Sequence, residues 1–516
     1  MDKFTNNWLY PRDIQAVVSY LEIILENKKN IYLYGGGSLT KEILGKLPAQ
    51  VKKNIKGIID QNHSTITYDL EVTDIESFVK NKNKYDAIVL CHYDWETMFL
   101  DRLRIYRVPD QYIVPIFSSP TFSDFIELDD FYRQCEYDKS KKVCIFITLK
   151  NQTKILDDLF LASLPRDDYI YARIDMSRDY VAFDGTYDIE INAYRSLILL
   201  CQYITTLKPK VIHIHDQIET LYFLPRYLKE RFPDIVLVWE PYDLVSHCLP
   251  SPSVFAESKG LLTDQNNWFF ENEKYNIKNV DMILHKEIGG IEGVLGRRQI
   301  EYDFVVETDK FVLPEISEKV RTRLVFTGSV FNSRDTDKFN QTSHLLNDFF
   351  QIVRNINVSV DLYLNSGRDK WNTFYENYVE LDKAKKNFCI RERVEENELI
   401  AVLPEKYGWG LILLHCPNGK IDETLAAKTY ARKMTTYLKA GLPVVVTKQA
   451  EGMAEIVERN GLGLVVAWED HGQLGDMITD LSAKKYQEFR NNVQNYVLRH
   501  DVSSVVSRYC DDVLNK

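Results

Sequence analysis

Residues 433–455, KMTTYLKAGLPVVVTKQAEGMAE, pass from a helix through a break into a strand, then a loop and the start of a second helix. Met434, Tyr437 and Leu438 recur at three and four residues, so one helical face is apolar. Gly441 ends that helix, because glycine accepts the left-handed cap without a side-chain clash. Pro443 then forbids continuation. Val444, Val445 and Val446 make a short buried strand of the parallel-sheet type. Gly452 opens the next loop, and the spacing predicts a helix over 455–459 that Gly461 closes. This step puts helix N-termini and a glycine loop at one edge of a sheet, where backbone amides attract anions, phosphates above all.

The same alternation runs outward in both directions. Upstream, strands are predicted over 143–148, 170–175, 211–215, 235–239, 282–284 and 304–306; 323–330 opens a second series, with strands over 358–364, 388–390 and 411–415. Between them the pattern predicts helices, including a long apolar one over 190–207 and one over 391–403. Polar groups follow several strand ends: His-Ile-His-Asp at 213–216, Glu-Pro-Tyr-Asp at 240–243 and His-Lys-Glu at 285–287. Ligands of parallel sheets bind outside the carboxyl ends of the strands, so these three clusters are expected to face one crevice. Two amphipathic helices close the chain, one carrying Tyr486, Phe489, Val493, Tyr496 and Val497, the other Val502, Val505, Val506, Tyr509 and Val513.

The order of residues in this half resembles the nucleotide-sugar lobe of GT-B glycosyltransferases, and in particular the large retaining group often called family 4. The resemblance rests on Lys433, Tyr437, Ala440 to Val445, Gly452, Glu455 to Val457 and Gly461 to Gly463. It extends upstream through KPKVIHIHD at 208–216, NVDMILHKE at 279–287, FVVETDKFVLP at 304–314 and RLVFTGSV at 323–330. It implies an α/β fold of two facing Rossmann-like lobes preceded by a small Rossmann-like α/β domain. The implied divisions are an accessory domain 1–138, an acceptor lobe 139–316, a donor lobe 317–490 and a C-terminal helix, 491–516, packing back across the lobes. The implied activity is a retaining transfer of a sugar from a UDP- or GDP-linked donor. The expected acceptor is a cell-surface polysaccharide, a lipid-linked glycan or a protein glycan.

Such a transfer needs cations and amides aimed at the diphosphate leaving group, and a sugar held against its acceptor. The donor-site candidates are Gly328, Ser329, Arg334, Lys338, Lys433, Thr436, Tyr437, Gly452, Met453 and Glu455. Arg334 and Lys338 resemble the family's pyrophosphate-binding pair. Glu455 is expected to bond a ribose or sugar hydroxyl while nearby amides neutralise the phosphates. His215, Glu240 and Asp243 are the catalytic candidates in the acceptor lobe. Three departures stand out: Glu307 replaces an Asn, Thr308 a Gly, and Thr436 the Glu that would accept two bonds from the donor ribose. They leave two alternatives open, a non-catalytic GT-B-shaped binding subunit and a nucleotide-sugar epimerase. His213 and His215 alternate on one strand and with Asp216 resemble a metal cluster, but no further ligand group at suitable spacing supports one, and a structural or substrate-binding histidine is the favoured reading. The chain also has no D-x-D pair at a strand end, so no metal and no resident cofactor are expected.

Ahead of this series, YGGGSLTKEIL at 34–44 follows a strand, and GIID follows at 57–60. Asp13 is expected to cap a preceding helix whose apolar face is Ile14, Val17, Val18, Leu21, Ile24 and Leu25. Gly35 and Gly37 fit the first two positions of G-x-G-x-x-G, but Thr40 stands at the third, which argues against a dinucleotide. Gly35, Gly37, Ser38 and Asp60 are the candidate loop of a small nucleotide site. The competing reading, which we favour, is a structural or partner-docking domain.

Composition bounds the partners. The 516 residues exceed what one core organises. The net charge of −11, with no basic block, argues against nucleic acid. The eight cysteines form no C-x-x-C pair and fit a reducing cytoplasm. The start, MDKFTNNWLYPRD, has no apolar signal core, and no run is long enough to span a bilayer. A peripheral membrane contact stays open.

Overall fold

The computed structural model describes residues 11–60, 69–81, 84–92, 96–117, 119, 137–149, 158–176, 187–193, 197–216, 222–248, 263–286, 288–291, 294, 298–302, 306, 308, 311–328, 330, 346–353, 357–364, 376–383, 387–414, 428 and 430–515. The chain divides into two compact units. Residues 1–152 and 165–237 form the first, and residues 153–164 and 238–516 the second. The strands belong to three parallel sheets.

In the first unit, β1 (Ile31–Tyr34), β2 (Ile55–Ile59), β3 (Glu71–Thr73), β4 (Ala87–Leu90) and β5 (Ile113–Val114) form a five-stranded sheet in the order β3-β2-β1-β4-β5. Two of its strands, β3 and β5, are too short to announce themselves by periodicity. The first helix, Pro11–Leu25, buries Ile14, Val17, Val18, Leu21 and Leu25 against this sheet's core. Asp13 lies inside that helix rather than at its cap. The same unit holds β6 (Lys142–Thr148), β7 (Tyr169–Asp175), β8 (Ile189–Asn192) and β9 (Val211–Asp216), ordered β8-β7-β6-β9. The long helix expected over 190–207 is in fact β8 followed by the helix Leu197–Leu207. Ile189-Glu-Ile-Asn alternates with period two and pairs with Ala172–Asp175 of β7.

The second unit contributes β10 (Val236–Pro241), β11 (Met282–His285) and β12 (Gln299–Glu301) in the order β10-β11-β12. It also contains a separate six-stranded sheet. This consists of β13 (Arg323–Thr327), β14 (Ser359–Tyr363), β15 (Phe388–Arg391), β16 (Trp409–Ile412), β17 (Val444–Thr447) and β18 (Gly463–Val466), ordered β15-β14-β13-β16-β17-β18. Such an order, winding both ways from the central β13–β16 pair, is that of a doubly wound Rossmann-like domain. Residues 140–500 are therefore not one continuous sheet.

Two apolar clusters sandwich the six-stranded sheet. Met434, Tyr437 and Leu438, from the helix Arg432–Lys439, are fully buried in one of them. Removing each from water stabilises the fold by about 1.5–3 kcal/mol. That helix ends as expected, with Gly441 left-handed at φ +70°. The next helix runs Glu451–Asn460, four residues earlier than the spacing predicts, and Gly461 closes it in the left-handed conformation. Arg391 ends β15 rather than opening a helix; the helix there is Glu396–Lys406. The closing helices are Ala483–Val497 and Val502–Tyr509, and the apolar faces expected of them are buried except at half-buried Val505. Asp501, between them, takes a bond from the Thr308 hydroxyl at 2.8 Å and bridges to Val306. Tyr509 meets Phe160 edge-on at 5.4 Å.

Candidate functional site

The carboxyl end of β13 is the centre of the site. Phe326 is fully buried and presents its ring face to the Lys433 ammonium, 3.9 Å away. A ring quadrupole attracts a cation there. Gly328 follows at φ +121°, a conformation side-chain-bearing residues avoid, and a methyl group at that position would lie 3.6 Å from Lys433 Nζ. The ammonium is thus tucked beneath the turn that ends β13. Lys433 as a residue keeps some contact with solvent, but its ammonium is surrounded by protein. Desolvation accordingly pulls its pKa down to about 7. Among the described residues no carboxylate pairs with it.

Tyr437 lies one turn further along the same helix, so the two side chains share a face. Its hydroxyl accepts the Thr327 amide at 2.8 Å and is joined by the Thr327 hydroxyl at 3.2 Å. It faces inward and is fully buried. Thr436 is buried too, and its hydroxyl bonds back to the Arg432 carbonyl at 3.4 Å. Gly452 and Met453 are buried in the first turn of the helix Glu451–Asn460. The Met453 sulfur accepts the Ala431 amide at 3.3 Å, which ties the N-termini of two helices together. Glu455 sits in the second turn on the exposed face, 3.8 Å from Arg459. The structure therefore brings Gly328, Lys433 and Tyr437 together, and holds Met453 close to the start of the Lys433 helix. Ser329, Arg334 and Lys338 lie outside the described residues, as do Glu287 and Glu307.

Three partners carry no signal in sequence. Phe326 and Thr327 read as ordinary strand residues. Thr447 joins β17 to the end of β16, accepting the Leu414 amide at 2.9 Å and donating to its carbonyl at 3.0 Å.

On the β10–β11 side, Glu240 and His285 are buried. Asp243 is paired with Lys286 at 2.9 Å, and the Lys286 ammonium lies 3.9 Å from the centre of the Tyr242 ring. Two residues on, the Ile288 amide donates to the Lys428 carbonyl at 2.8 Å. In the first unit, His213 and His215 are buried in β9, with His213 stacked on Phe146 at 5.0 Å. Among the described residues no group of three His, Cys, Asp or Glu side chains is placed to hold a metal ion, and no helix is long and apolar enough to cross a membrane.

The accessory loop is locked from within. Gly35 is left-handed at φ +105°, with the Cys91 carbonyl and Phe99 packed against it. The Gly36 amide donates to Asp60 at 2.5 Å, and Thr40 donates to the Gly35 carbonyl. Thr40, the residue that departs from the glycine fingerprint, thus closes the loop on itself. Gly37 caps the following helix, which begins at Ser38.

Parallel, doubly wound sheets of this kind are the architecture of the Rossmann-like lobes of the GT-B fold. Comparison with known proteins agrees: residues 354–501 match the family described as "Glucosyltransferase 3-like, C-terminal domain". No curated protein matches in sequence. Among solved structures, sucrose-phosphate synthase from Thermosynechococcus elongatus is similar over 72% of this chain and 98% of its own, with TM-score 0.50 and 10% identity. Anabaena HepE in complex with UDP-glucose covers 72% of this chain and 98% of its own, with TM-score 0.47 and 14% identity. At such identities the likeness is one of fold.

Proposed function

We propose that this chain transfers glucose from a nucleoside-diphosphate donor, UDP-glucose first among the candidates, to a glycan acceptor. The observation that carries the proposal is the Lys433 ammonium, enclosed beneath Gly328 over the Phe326 ring with no carboxylate among the described residues to neutralise it. A buried cation without a counterion is costly. A diphosphate is the ligand that would remove the cost, and a cation aimed at the leaving group is what glycosyl transfer requires. The glucosyltransferase match over 354–501 supports glucose as the sugar. We further propose retention of the anomeric configuration without a divalent ion, Lys433 supplying the positive charge, and action in the cytoplasm.

Titration calorimetry with UDP, GDP and CMP tests the donor site, on the wild type and on Lys433→Met. Tight UDP binding that the variant weakens by tenfold or more supports the proposal; no nucleotide binding, or equal binding by both, refutes it. Proton NMR of the product linkage tests retention. One observation favours a second reading: Thr436, at the family's ribose-binding position, turns its hydroxyl back into its own helix. A non-catalytic sugar-nucleotide-binding subunit would bind UDP-glucose and yield neither hydrolysis nor transfer.

A further inference from the structure

We propose that Tyr437 is a positioning residue that fixes the Lys433 helix to the end of β13, so that the ammonium stays beneath Gly328, and that it never touches the donor. The proposal rests on the reading of Lys433 as the diphosphate cation. Tyr437 is fully buried, so its hydroxyl does not reach ligand space. That hydroxyl is instead spent on Thr327, through the backbone amide at 2.8 Å and the side-chain oxygen at 3.2 Å. Thr327 immediately precedes the Gly328 turn. The other side of the turn is held by the Gly328 amide, which donates to the Tyr363 carbonyl of β14 at 3.0 Å. Neither bond involves Lys433, yet together they set the separation between the turn and its helix.

The Tyr437 ring reinforces the register. It lies so close over β16 that a Cβ at Gly410 would come within 2.2 Å of it, so only glycine leaves room for the ring. The Leu442 amide bonds the Tyr437 carbonyl at 3.0 Å and closes the C-terminus of the same helix. With the ring held against Gly410 and the hydroxyl bonded to Thr327, the helix has no freedom to slide along the sheet. Lys433, one turn earlier on the same face, inherits that placement. An ordinary core tyrosine fills space; this one also determines where a cation sits, because misplacing a charged contact by even an ångström forfeits much of its effect.

A double-mutant cycle on UDP binding separates positioning from contact. Tyr437→Phe removes one oxygen and keeps the ring. It should weaken UDP about threefold to tenfold when Lys433 is present, and less than twofold in a Lys433→Met background, since the anchor then has no cation to place. Thr327→Val leaves the tyrosine and the backbone amide intact and should give a smaller loss with the same non-additivity; it also serves if Tyr437→Phe folds poorly. Equal weakening by Tyr437→Phe in both backgrounds would mean direct contact or general loosening and would overturn the proposal. So would unchanged UDP affinity in the single variant. If Lys433→Met itself left UDP binding intact, the donor-site reading would fall first, and this proposal with it.

Discussion

Lys433→Met should make the protein more stable and its donor binding weaker. Methionine keeps the length and apolar stem of lysine but removes the charge. Burial lowers the Lys433 pKa from 10.5 to about 7, a difference of about 3.5 units. At ~1.4 kcal/mol per unit this corresponds to a penalty on the order of 5 kcal/mol, a ceiling that solvent contact and relaxation reduce. Because the folded-state value is depressed, the unfolded chain binds the extra proton between pH 7 and 10.5, and stability rises with pH across that window. Below pH 7 both states are protonated and the penalty is complete; above 10.5 both are neutral and it is gone. Urea unfolding of wild type and variant at pH 6, 8 and 9 should therefore show the variant ahead by a few kcal/mol at pH 6. Its advantage should shrink by about 1.4 kcal/mol per pH unit above 7.

Donor binding carries the opposite sign. A diphosphate beside the ammonium favours the charged form, so binding above pH 7 takes up a proton and wild-type UDP affinity should decline as pH rises. Lys433→Met should lose that pH slope together with about 1.5–3 kcal/mol of affinity, the worth of a charge-assisted bond. A variant less stable than wild type at pH 6, or one that keeps both affinity and slope, would refute the reasoning.

Three further substitutions probe the surroundings. Gly452→Val puts a branched side chain into the buried first turn of the helix Glu451–Asn460; UDP affinity measured by calorimetry should drop at least tenfold, whereas a donor lying elsewhere would leave it unchanged. Glu455→Gln alters an exposed side chain paired only loosely with Arg459; chemical unfolding and UDP binding should both stay within about 0.5 kcal/mol of wild type, as for most surface changes. Asp243→Asn breaks a partly buried ion pair and leaves Lys286 with only the Tyr242 ring of the two contacts; unfolding should show a loss of about 1–3 kcal/mol with UDP affinity intact.

What the sequence disclosed and what it hid have physical causes. The apolar face of Met434, Tyr437 and Leu438, the valine strand and the two glycine caps follow from local periodicity and backbone sterics, and each is found in the structure. The start of the helix Glu451–Asn460 was hidden because Ala450 caps it without a side-chain acceptor, leaving no Ser, Thr, Asp or Asn to mark it. β8 was hidden because its four residues are too few to set a period of two apart from the helix Leu197–Leu207 that comes soon after. The site was less legible still. Lys433 is a donor candidate by resemblance alone, and its enclosure is invisible until β13, more than a hundred residues earlier, places Phe326 and Gly328 around it. Tyr437 is a donor candidate by the same resemblance, and nothing in its spacing shows that its hydroxyl bonds Thr327. Burial and partner choice are properties of tertiary contact, which spacing along the chain does not encode.

The helix Arg432–Lys439 is consequently a junction as well as a layer against the six-stranded sheet. Tyr437 binds it to the end of β13 through Thr327. Ala431, at its N-cap, binds it to Met453 in the helix that follows β17. The chain leading into it is held at Lys428 by Ile288, which lies three residues past the end of β11 and two past Lys286. Lys286 is in turn paired with Asp243 beyond β10. A single short helix thus carries the one cation placed against the Gly328 turn among the described residues, while its approach is tethered near the strand exits where Asp243 and Lys286 pair. The Ile288–Lys428 bond joins two backbone groups rather than two side chains. Backbone bonds of this kind transmit position with little slack, because buried amides and carbonyls stay paired. The chain leading into the Lys433 helix is therefore tied beside the exit of β11 as well as to its own sheet.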